Sequence, residues 1–170
     1  MRETIMEQRI SYGKVSPEGI RALGGLDTYL RNSGLEPGLL NLIKTRASQL
    51  NGCAYCLDMH TKDARAGGET EQRLYALPAW RATPFYTDRE QAALAWTEAM
   101  TLISRGPVSD TLYGEARRHF SEKELVDLTL ALVAINGWNR LSIGFRTVPG
   151  TYQPKAPSSA VGESRKGVLA

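Results

Sequence analysis

The sequence predicts an all-α fold, a single-domain bundle of about six to eight helices. Apolar side chains recur at spacings of three and four, and Pro, Ser, Thr or Gly stand at the ends of these stretches. No segment between turn signals has the sustained apolar/polar alternation that is typical of a strand. With 170 residues and 42% hydrophobic side chains, the chain can bury one sizeable core.

Three helices are predicted in the first part of the chain, after residues 8–15, which hint at an extended arm. Ser16 and Pro17 provide an N-cap and a first helical residue for a helix over about residues 17–32. The stripe of the second helix ends at Asn51 and Gly52 and consists of Leu39, Leu40, Ile43, Ala47 and Leu50. The third helix is expected from about residue 53 to residue 66, where two glycines follow.

Five further helical segments are predicted in the second part. A short helix is expected within residues 69–77. Thr87 and Glu90 have capping-box spacing at the start of a long, alanine-rich helix, and residues 109–120 predict another helix. Ser121 and Glu124 repeat the capping box, and a last helix is expected to continue after Gly137.

Composition limits the classes of function. Residues 1–148 are expected to form the domain and residues 149–170 a flexible tail, or one that lies on a neighbouring subunit, because the tail is rich in Pro, Ser, Gly and charge. The 21 Lys and Arg and 18 Asp and Glu are interspersed, which gives little support for binding of nucleic acid or membranes. No run of about 18 apolar residues and no apolar leader is seen, so we expect a cytoplasmic protein.

Both cysteines and one of the two histidines lie within the stretch LNGCAYCLDMHTKDA. On a helix, Cys53, Cys56 and His60 fall within an arc of about 60°. Residues this far apart have Cβ atoms about 5 to 6 Å apart, so the two thiols can form a disulfide with little backbone movement. The helix N-terminus stabilises a thiolate, and its dipole favours Cys53 as the more acidic thiol. His60 is near enough to exchange a proton with a thiol.

Several chemistries are open to such a motif. Zinc prefers four ligands, whereas this stretch offers three, and His119 lies far along the chain, so a metal site is disfavoured. Small buried thiols beside a surface histidine are the purely structural alternative. Reduction of a peroxide needs a thiolate, a proton for the leaving alkoxide and a second thiol that condenses with the sulfenic acid. One helix face offers all three groups.

The stretch RASQLNGCAYCLDMHTKDARAGGE resembles the core of the alkylhydroperoxidase (AhpD-like) branch of the carboxymuconolactone decarboxylase family. The family pattern is Glu, eleven residues, Cys-x-x-Cys, three residues and His, and the resemblance is strongest over residues 44–69. It implies an all-helical subunit in homotrimers or homohexamers that reduces a hydroperoxide and has no bound cofactor. The implied electron donor is an external dithiol such as a lipoyl group, or an adaptor protein that carries one.

The resemblance assigns a role to each residue of the motif. Cys56 would attack the peroxide, Cys53 would resolve the sulfenic acid, and His60 would belong to the proton relay. This order is the reverse of the one that the helix dipole favours, and we follow the family. The family glutamate falls at Asn41, which forms hydrogen bonds but cannot act as a base near neutral pH.

Glu98 is the candidate replacement for the family glutamate. It lies between Leu94 and Leu102 on a stripe that otherwise looks buried, where an acid is costly unless it is paired or functional. A salt-bridged glutamate on the helix surface is the more common explanation for such a position. Two other functions also stay open: a non-enzymatic redox-responsive module, which would not need the relay acid, and a lactone decarboxylase-like enzyme, which would not need the cysteine pair.

Overall fold

The structure is a computed structural model that describes residues 7–154. This part of the chain contains eight α-helices and no strand, which confirms the predicted all-α class. The helices are α1 Tyr12–Val15, α2 Pro17–Arg31, α3 Pro37–Asn51, α4 Ala54–Ala66, α5 Glu71–Ala76, α6 Asp88–Thr101, α7 Asp110–His119 and α8 Glu122–Gly144. Two short 3-10 helices, Leu77–Ala82 and Ile103–Arg105, follow α5 and α6. None of the helices in residues 7–154 has both the length and the apolar character needed to cross a membrane.

Helix α3 lies at the centre of the bundle. It packs against α4, α6 and α8, and α8 also contacts α2. The main core forms between these helices, where the side chains of Leu30, Ile43 and Leu128 are completely buried. Burial of each such side chain stabilises the fold by about 1.5–3 kcal/mol relative to leaving it exposed. A smaller cluster around Leu77 and Trp80 packs on α3 and α6.

Both predicted capping boxes are confirmed. The Thr87 hydroxyl accepts the Glu90 N–H at 3.3 Å, and the Glu90 carboxylate accepts the Thr87 N–H at 2.8 Å. Ser121 and Glu124 repeat the exchange at 3.2 and 2.8 Å. These bonds satisfy N–H groups that the first turn of a helix leaves without partners, and they fix where α6 and α8 begin.

Two segments differ from the sequence prediction. The expected extended arm contains a single helical turn, α1, and it is held on the end of α8 by the Arg9 N–H, which donates to the Phe145 carbonyl at 2.9 Å. The expected last helix after Gly137 is not separate, because α8 runs through that glycine without interruption. One glycine in a helix costs about 1 kcal/mol relative to alanine, which burial of the nearby Ile135 side chain offsets.

The beginning of the predicted tail lies against α4. The Gly150 N–H donates to the Asp58 carboxylate at 3.0 Å, and the Tyr152 hydroxyl donates to Asp63 at 2.6 Å. Lys62 donates to the Tyr152 carbonyl at 3.1 Å. Residues 155–170, the rest of the segment for which flexibility was predicted, lie outside the described residues.

Candidate active site

The turn between α3 and α4 places the first cysteine. Gly52 ends α3 with φ 69° and ψ 33°, in the left-handed region that favours glycine. The Cys53 N–H then donates to the Ser48 carbonyl at 3.0 Å. Cys53 is the N-cap of α4, and its sulfur accepts the Cys56 N–H at 3.3 Å. The Cys-x-x-Cys motif therefore lies on the first turn of α4, as the sequence predicted.

The two cysteines are joined by a disulfide bond. Their Cα atoms are 5.3 Å apart, inside the range of about 4.4 to 6.8 Å that disulfides require. Each cysteine is 1% exposed. Cys56 lines the neighbouring cavity, whereas Cys53 does not. Cys56, and not Cys53, is therefore the cysteine that a small molecule in the cavity would contact.

The cavity beside Cys56 has a volume of about 640 Å³. Its walls come from α2, α3, α4 and α8. Tyr12 of α1 and Tyr152, which follows α8, also line it. Leu40, Met59 and Ile135 are among its apolar lining residues. Small-molecule sites typically measure about 300–1,000 Å³ and are mostly apolar with a few polar groups. The cavity suits a small organic ligand.

His60 reaches the same cavity from one turn further along α4. It is 6% exposed, and neither ring nitrogen has a hydrogen-bond partner in the part of the chain that the structure describes. Burial, and to a smaller extent the Lys44 ammonium, lowers the pKa of His60 from 6.5 to about 3, and the Asp27 carboxylate partly opposes this shift. His60 is therefore a neutral imidazole near neutral pH, with one donor and one acceptor nitrogen.

An ion pair completes the polar side of the cavity. Lys44 of α3 donates to one oxygen of Asp27 at 2.7 Å, and the indole N–H of Trp138 donates to the other oxygen at 2.7 Å. All three residues line the cavity. The side chains of Lys44 and Asp27 are 15% and 17% exposed, so the pair is mostly shielded from water. Charges in such a setting interact more strongly than they would at the surface.

Tyr152 and Asp63 line the cavity on the side of α4 that faces residues 149–154. Burial, and then the hydrogen bond to the Asp63 carboxylate, raises the pKa of Tyr152 to about 12. Tyr152 therefore stays a neutral donor to Asp63. This contact occupies one oxygen of Asp63 and ties the described part of the tail to the cavity wall.

Glu98 does not belong to this group of cavity-lining residues. Its carboxylate accepts from Arg46 at 2.7 Å and from the indole of Trp80 at 2.9 Å, and it pairs with Arg81 at 2.5 Å. Burial raises the pKa of Glu98, but the hydrogen bonds from these three residues outweigh it and hold the pKa below its ordinary value. Glu98 is not among the residues that line the cavity. The structure thus brings Cys53, Cys56 and His60 together and places Glu98 in a salt-bridge cluster.

Asp27 and Lys44 are cavity residues that the sequence reasoning missed. Asp27 lies four residues after Leu23 and three before Leu30, on the apolar stripe of α2. Lys44 has the same relation to Leu40 and Ala47 on α3. A charged residue within an apolar stripe was the signal that singled out Glu98, and the same signal applies to both of these positions.

Comparison with known proteins places this chain in a family. A sequence profile described as the carboxymuconolactone decarboxylase family matches residues 17–99. The uncharacterized protein YdfG of Bacillus subtilis is 48% identical over 138 residues, which are 81% of this chain and 94% of that protein. The uncharacterized protein YnjA of Escherichia coli is 28% identical over 117 residues, 69% of this chain and 62% of that protein.

Solved structures agree with these matches. Atu0492 of Agrobacterium tumefaciens, a protein of unknown function with a suggested role as the antioxidant defence protein AhpD, is 43% identical. It superposes with a TM-score of 0.82 over 86% of this chain and 100% of its own. The debrominase Bmp8 is 21% identical and shares the fold with a TM-score of 0.72 over 81% of this chain and 74% of its own. The chain therefore belongs to the carboxymuconolactone decarboxylase family, and its fold is AhpD-like.

Proposed function

We propose that the protein is a thiol-dependent peroxidase that reduces organic hydroperoxides through a Cys53–Cys56 dithiol/disulfide cycle. The observation that carries the proposal is the position of the disulfide. Cys56 and His60 line a cavity of about 640 Å³, and Cys56 is bonded to the sulfur of Cys53, which is buried but does not line the cavity. A nucleophile at the cavity, a resolving thiol and a proton carrier are the three groups that this chemistry needs.

The chemistry starts from the reduced pair. The Cys56 thiolate attacks one peroxide oxygen, the O–O bond breaks, and the leaving alkoxide takes up a proton to become an alcohol. Cys56 is now a sulfenic acid. The Cys53 thiol attacks its sulfur, water leaves, and the disulfide forms. An external dithiol, such as a dihydrolipoyl group or an adaptor protein that carries one, then restores both thiols by thiol–disulfide exchange.

The placement of the two cysteines favours Cys56 as the attacking thiol. Cys53 occupies the N-cap, where the dipole acts on it, but it is not among the residues that line the cavity. Cys56 also lies within the first turn of α4, where the helix dipole stabilises a thiolate. Access to the peroxide therefore supports the order that the family resemblance implies, with His60 in proton transfer.

The first experiment measures consumption of cumene hydroperoxide with dihydrolipoamide as the reductant. We expect turnover by the wild type and none by Cys53→Ser or Cys56→Ser. In a single turnover with peroxide, Cys53→Ser should accumulate a sulfenic acid that dimedone traps, and Cys56→Ser should not. Trapping in Cys56→Ser alone would reverse the assigned order of the two thiols.

Glu98→Gln is the control for this assay. Because Glu98 neutralises Arg46 outside the cavity, we expect this variant to lose stability and to retain the turnover of its folded fraction. A folded Glu98→Gln protein with turnover reduced by about 100-fold would assign general acid–base catalysis to Glu98 after all.

A redox-responsive module is the alternative function. The absence of a relay acid at position 41 favours it, because slow proton transfer would leave the thiols oxidisable without efficient turnover. Stoichiometric loss of two thiols per chain, without turnover by any dithiol, would support the module. Lactone decarboxylation makes no use of the cysteine pair and is the weaker alternative.

Assembly as a homotrimer or homohexamer stays a prediction from the family resemblance. Val126 and Val133 of α8 are 59% and 55% exposed, and association with another copy of the chain would remove this apolar surface from water.

A further inference from the structure

Three amide side chains form a hydrogen-bond network where the end of α3 meets α8. Asn51, the last residue of α3, donates through its amide nitrogen to the oxygen of Asn136 at 2.9 Å and to that of Asn139 at 2.8 Å. The nitrogen of Asn139 donates to the Ser48 hydroxyl at 3.1 Å. Asn136 and Asn139 belong to α8 and are 9% and 1% exposed. Because buried amides are costly unless they form hydrogen bonds, such a network specifies one arrangement of the two helices.

The network adjoins the turn that carries Cys53. The Ser48 carbonyl accepts the Cys53 N–H at 3.0 Å, and Asn51 directly precedes Gly52, the residue that ends α3. Asn139 bonds to both of these anchors, to Ser48 through its nitrogen and to Asn51 through its oxygen. In the part of the chain that the structure describes, no other side chain forms hydrogen bonds with both side chains. Asn139 therefore connects the turn to α8.

The backbones of the two cysteines are fixed in different ways. Cys56 lies within α4, where helical hydrogen bonds fix the backbone. Cys53 is the N-cap of that helix, so its backbone belongs to the turn. In the proposed cycle the sulfur of Cys53 must reach the sulfur of the Cys56 sulfenic acid. Since a misplacement of about 1 Å can slow a reaction by about 100-fold, the position of the turn sets the rate of this step.

We propose that Asn139 is a positioning residue for the resolving thiol, because it fixes the turn against α8 and so keeps the Cys53 sulfur close to Cys56. The inference rests on the proposed peroxidase function. In the step concerned, the Cys53 thiol loses its proton and attacks the sulfur of the Cys56 sulfenic acid. The S–S bond forms, the S–O bond breaks, and the hydroxide takes up the proton and leaves as water. If this step is slow, a second hydroperoxide oxidises the sulfenic acid to a sulfinic acid and is itself reduced to an alcohol.

Asn139→Leu tests the proposal, because leucine has a similar branched shape and can form neither hydrogen bond. The reduced protein is mixed with equimolar cumene hydroperoxide, and the loss of peroxide and the formation of disulfide are timed separately by rapid acid quench. We expect the loss of peroxide to change by less than about threefold and disulfide formation to slow by about 100-fold. Dimedone should then label Cys56 in the variant far more than in the wild type. Excess peroxide should convert Cys56 of the variant to a sulfinic acid, which mass spectrometry detects.

The ratio of the two rates separates positioning from damage to the fold. A generally weakened protein would slow both steps, whereas a displaced Cys53 slows only the second. A wild-type rate of disulfide formation in Asn139→Leu would overturn the proposal. Equal slowing of both steps would overturn it as well.

Thr129→Val is the matched control. Thr129 also belongs to α8, and its hydroxyl accepts the indole N–H of Trp96 on α6 at 3.0 Å. The variant therefore loses a hydrogen bond between helices that does not involve the turn. We expect a lower melting temperature and the wild-type ratio of the two rates. Equally slow disulfide formation in Thr129→Val and Asn139→Leu would mean that any loss of helix packing has this effect, which contradicts a specific role for Asn139.

If Asn139→Leu does not fold, Ser48→Ala/Asn51→Ala removes the two partners of Asn139 on α3 instead. We expect disulfide formation in this variant to slow by about tenfold or more, again with little change in the loss of peroxide. A wild-type rate of disulfide formation in this variant would also overturn the proposal.

A second measurement does not depend on peroxide. The equilibrium of the cysteine pair with dihydrolipoamide and lipoamide reports how readily Cys53 and Cys56 form their disulfide. Thiols that are fixed close together have a higher effective concentration, so we expect Asn139→Leu to shift this equilibrium toward the dithiol by about tenfold. An unchanged equilibrium would overturn the positioning of Cys53. A wild-type protein that no peroxide oxidises, but whose equilibrium shifts in the variant, would overturn the proposed function and retain the positioning.

Discussion

His60 is the residue whose chemistry depends most on burial. The pKa of its imidazole falls from 6.5 in the unfolded chain to about 3 in the folded protein, chiefly because the ring is buried. The unfolded chain therefore binds a proton near pH 6.5 that the folded protein does not bind. The neutral His60 side chain therefore makes its full contribution to the free energy of unfolding above pH 6.5. This contribution is lost progressively as the pH falls toward 3.

We expect the ring protons of His60 to keep constant NMR chemical shifts from pH 8 to about pH 5, because the imidazole stays neutral there. The measurement is a carbon-edited proton spectrum of labelled protein. His119→Gln removes the other imidazole signal and so assigns the remaining one. A midpoint near pH 6.5 in this variant would contradict the burial of His60 and would make it an ordinary base.

The start of α8 shows how a local sequence pattern stabilises a long element. Hydrogen bonds from the Ser121 backbone and hydroxyl, and then from Arg89, lower the pKa of Glu124 to about 2. A carboxyl with a lowered pKa contributes stability that is present above the unfolded value of 4.5 and is lost as the pH falls through the folded value.

We expect Ser121→Ala to lower the free energy of unfolding by about 1 kcal/mol at pH 7, the usual cost of losing an N-cap. We expect Glu124→Gln to make stability less dependent on pH between 7 and 3. Both are measured by urea unfolding. Glu122→Gln is the control, because the Glu122 side chain is 86% exposed and its 3.5 Å contact with Arg117 is a surface ion pair, so both quantities should change little. Equal pH dependence in wild type and Glu124→Gln would contradict the assigned pKa.

The ends of helices could be predicted from the sequence where the contacts that set them are local. The capping boxes at Thr87 and Ser121 involve residues three apart, so the sequence alone shows them. The continuity of α8 through Gly137 depends on packing against other helices, which a local stop signal does not include. The same distinction explains the cysteines, whose disulfide joins two residues three apart at the start of α4.

The positions of Glu98 and Asp27 show the limit of sequence-based prediction at the scale of the whole molecule. Glu98 and Asp27 both interrupt apolar stripes, and nothing local distinguishes them. The difference arises because α2 and α8 pack beside α3 on the side of the cavity, which brings Asp27 to Lys44 and Trp138. Glu98 meets Arg46 and Trp80 instead. Which acid faces the cavity is a property of the helix arrangement.

The whole molecule must stay folded in both redox states if the disulfide takes part in a catalytic cycle. The two cysteines are three residues apart, whereas the fold is held by helices that are distant in sequence. In the chain-entropy account, a disulfide that closes a loop of about four residues contributes only about 2 kcal/mol, and native strain reduces this value. Reduction should therefore weaken the fold slightly and leave the bundle intact.

We expect reduction by a phosphine to lower the melting temperature by no more than about 8 °C, the shift that about 2 kcal/mol gives in a domain of this size. The helical circular dichroism at 25 °C should not change. Cys53→Ser/Cys56→Ser, treated with the same phosphine, is the control for effects of the reagent. Loss of cooperative unfolding on reduction would make the disulfide a structural bond. The same loss would favour the redox-responsive module over the peroxidase, because a catalyst that unfolds in its reduced form has no cavity in which to meet the peroxide.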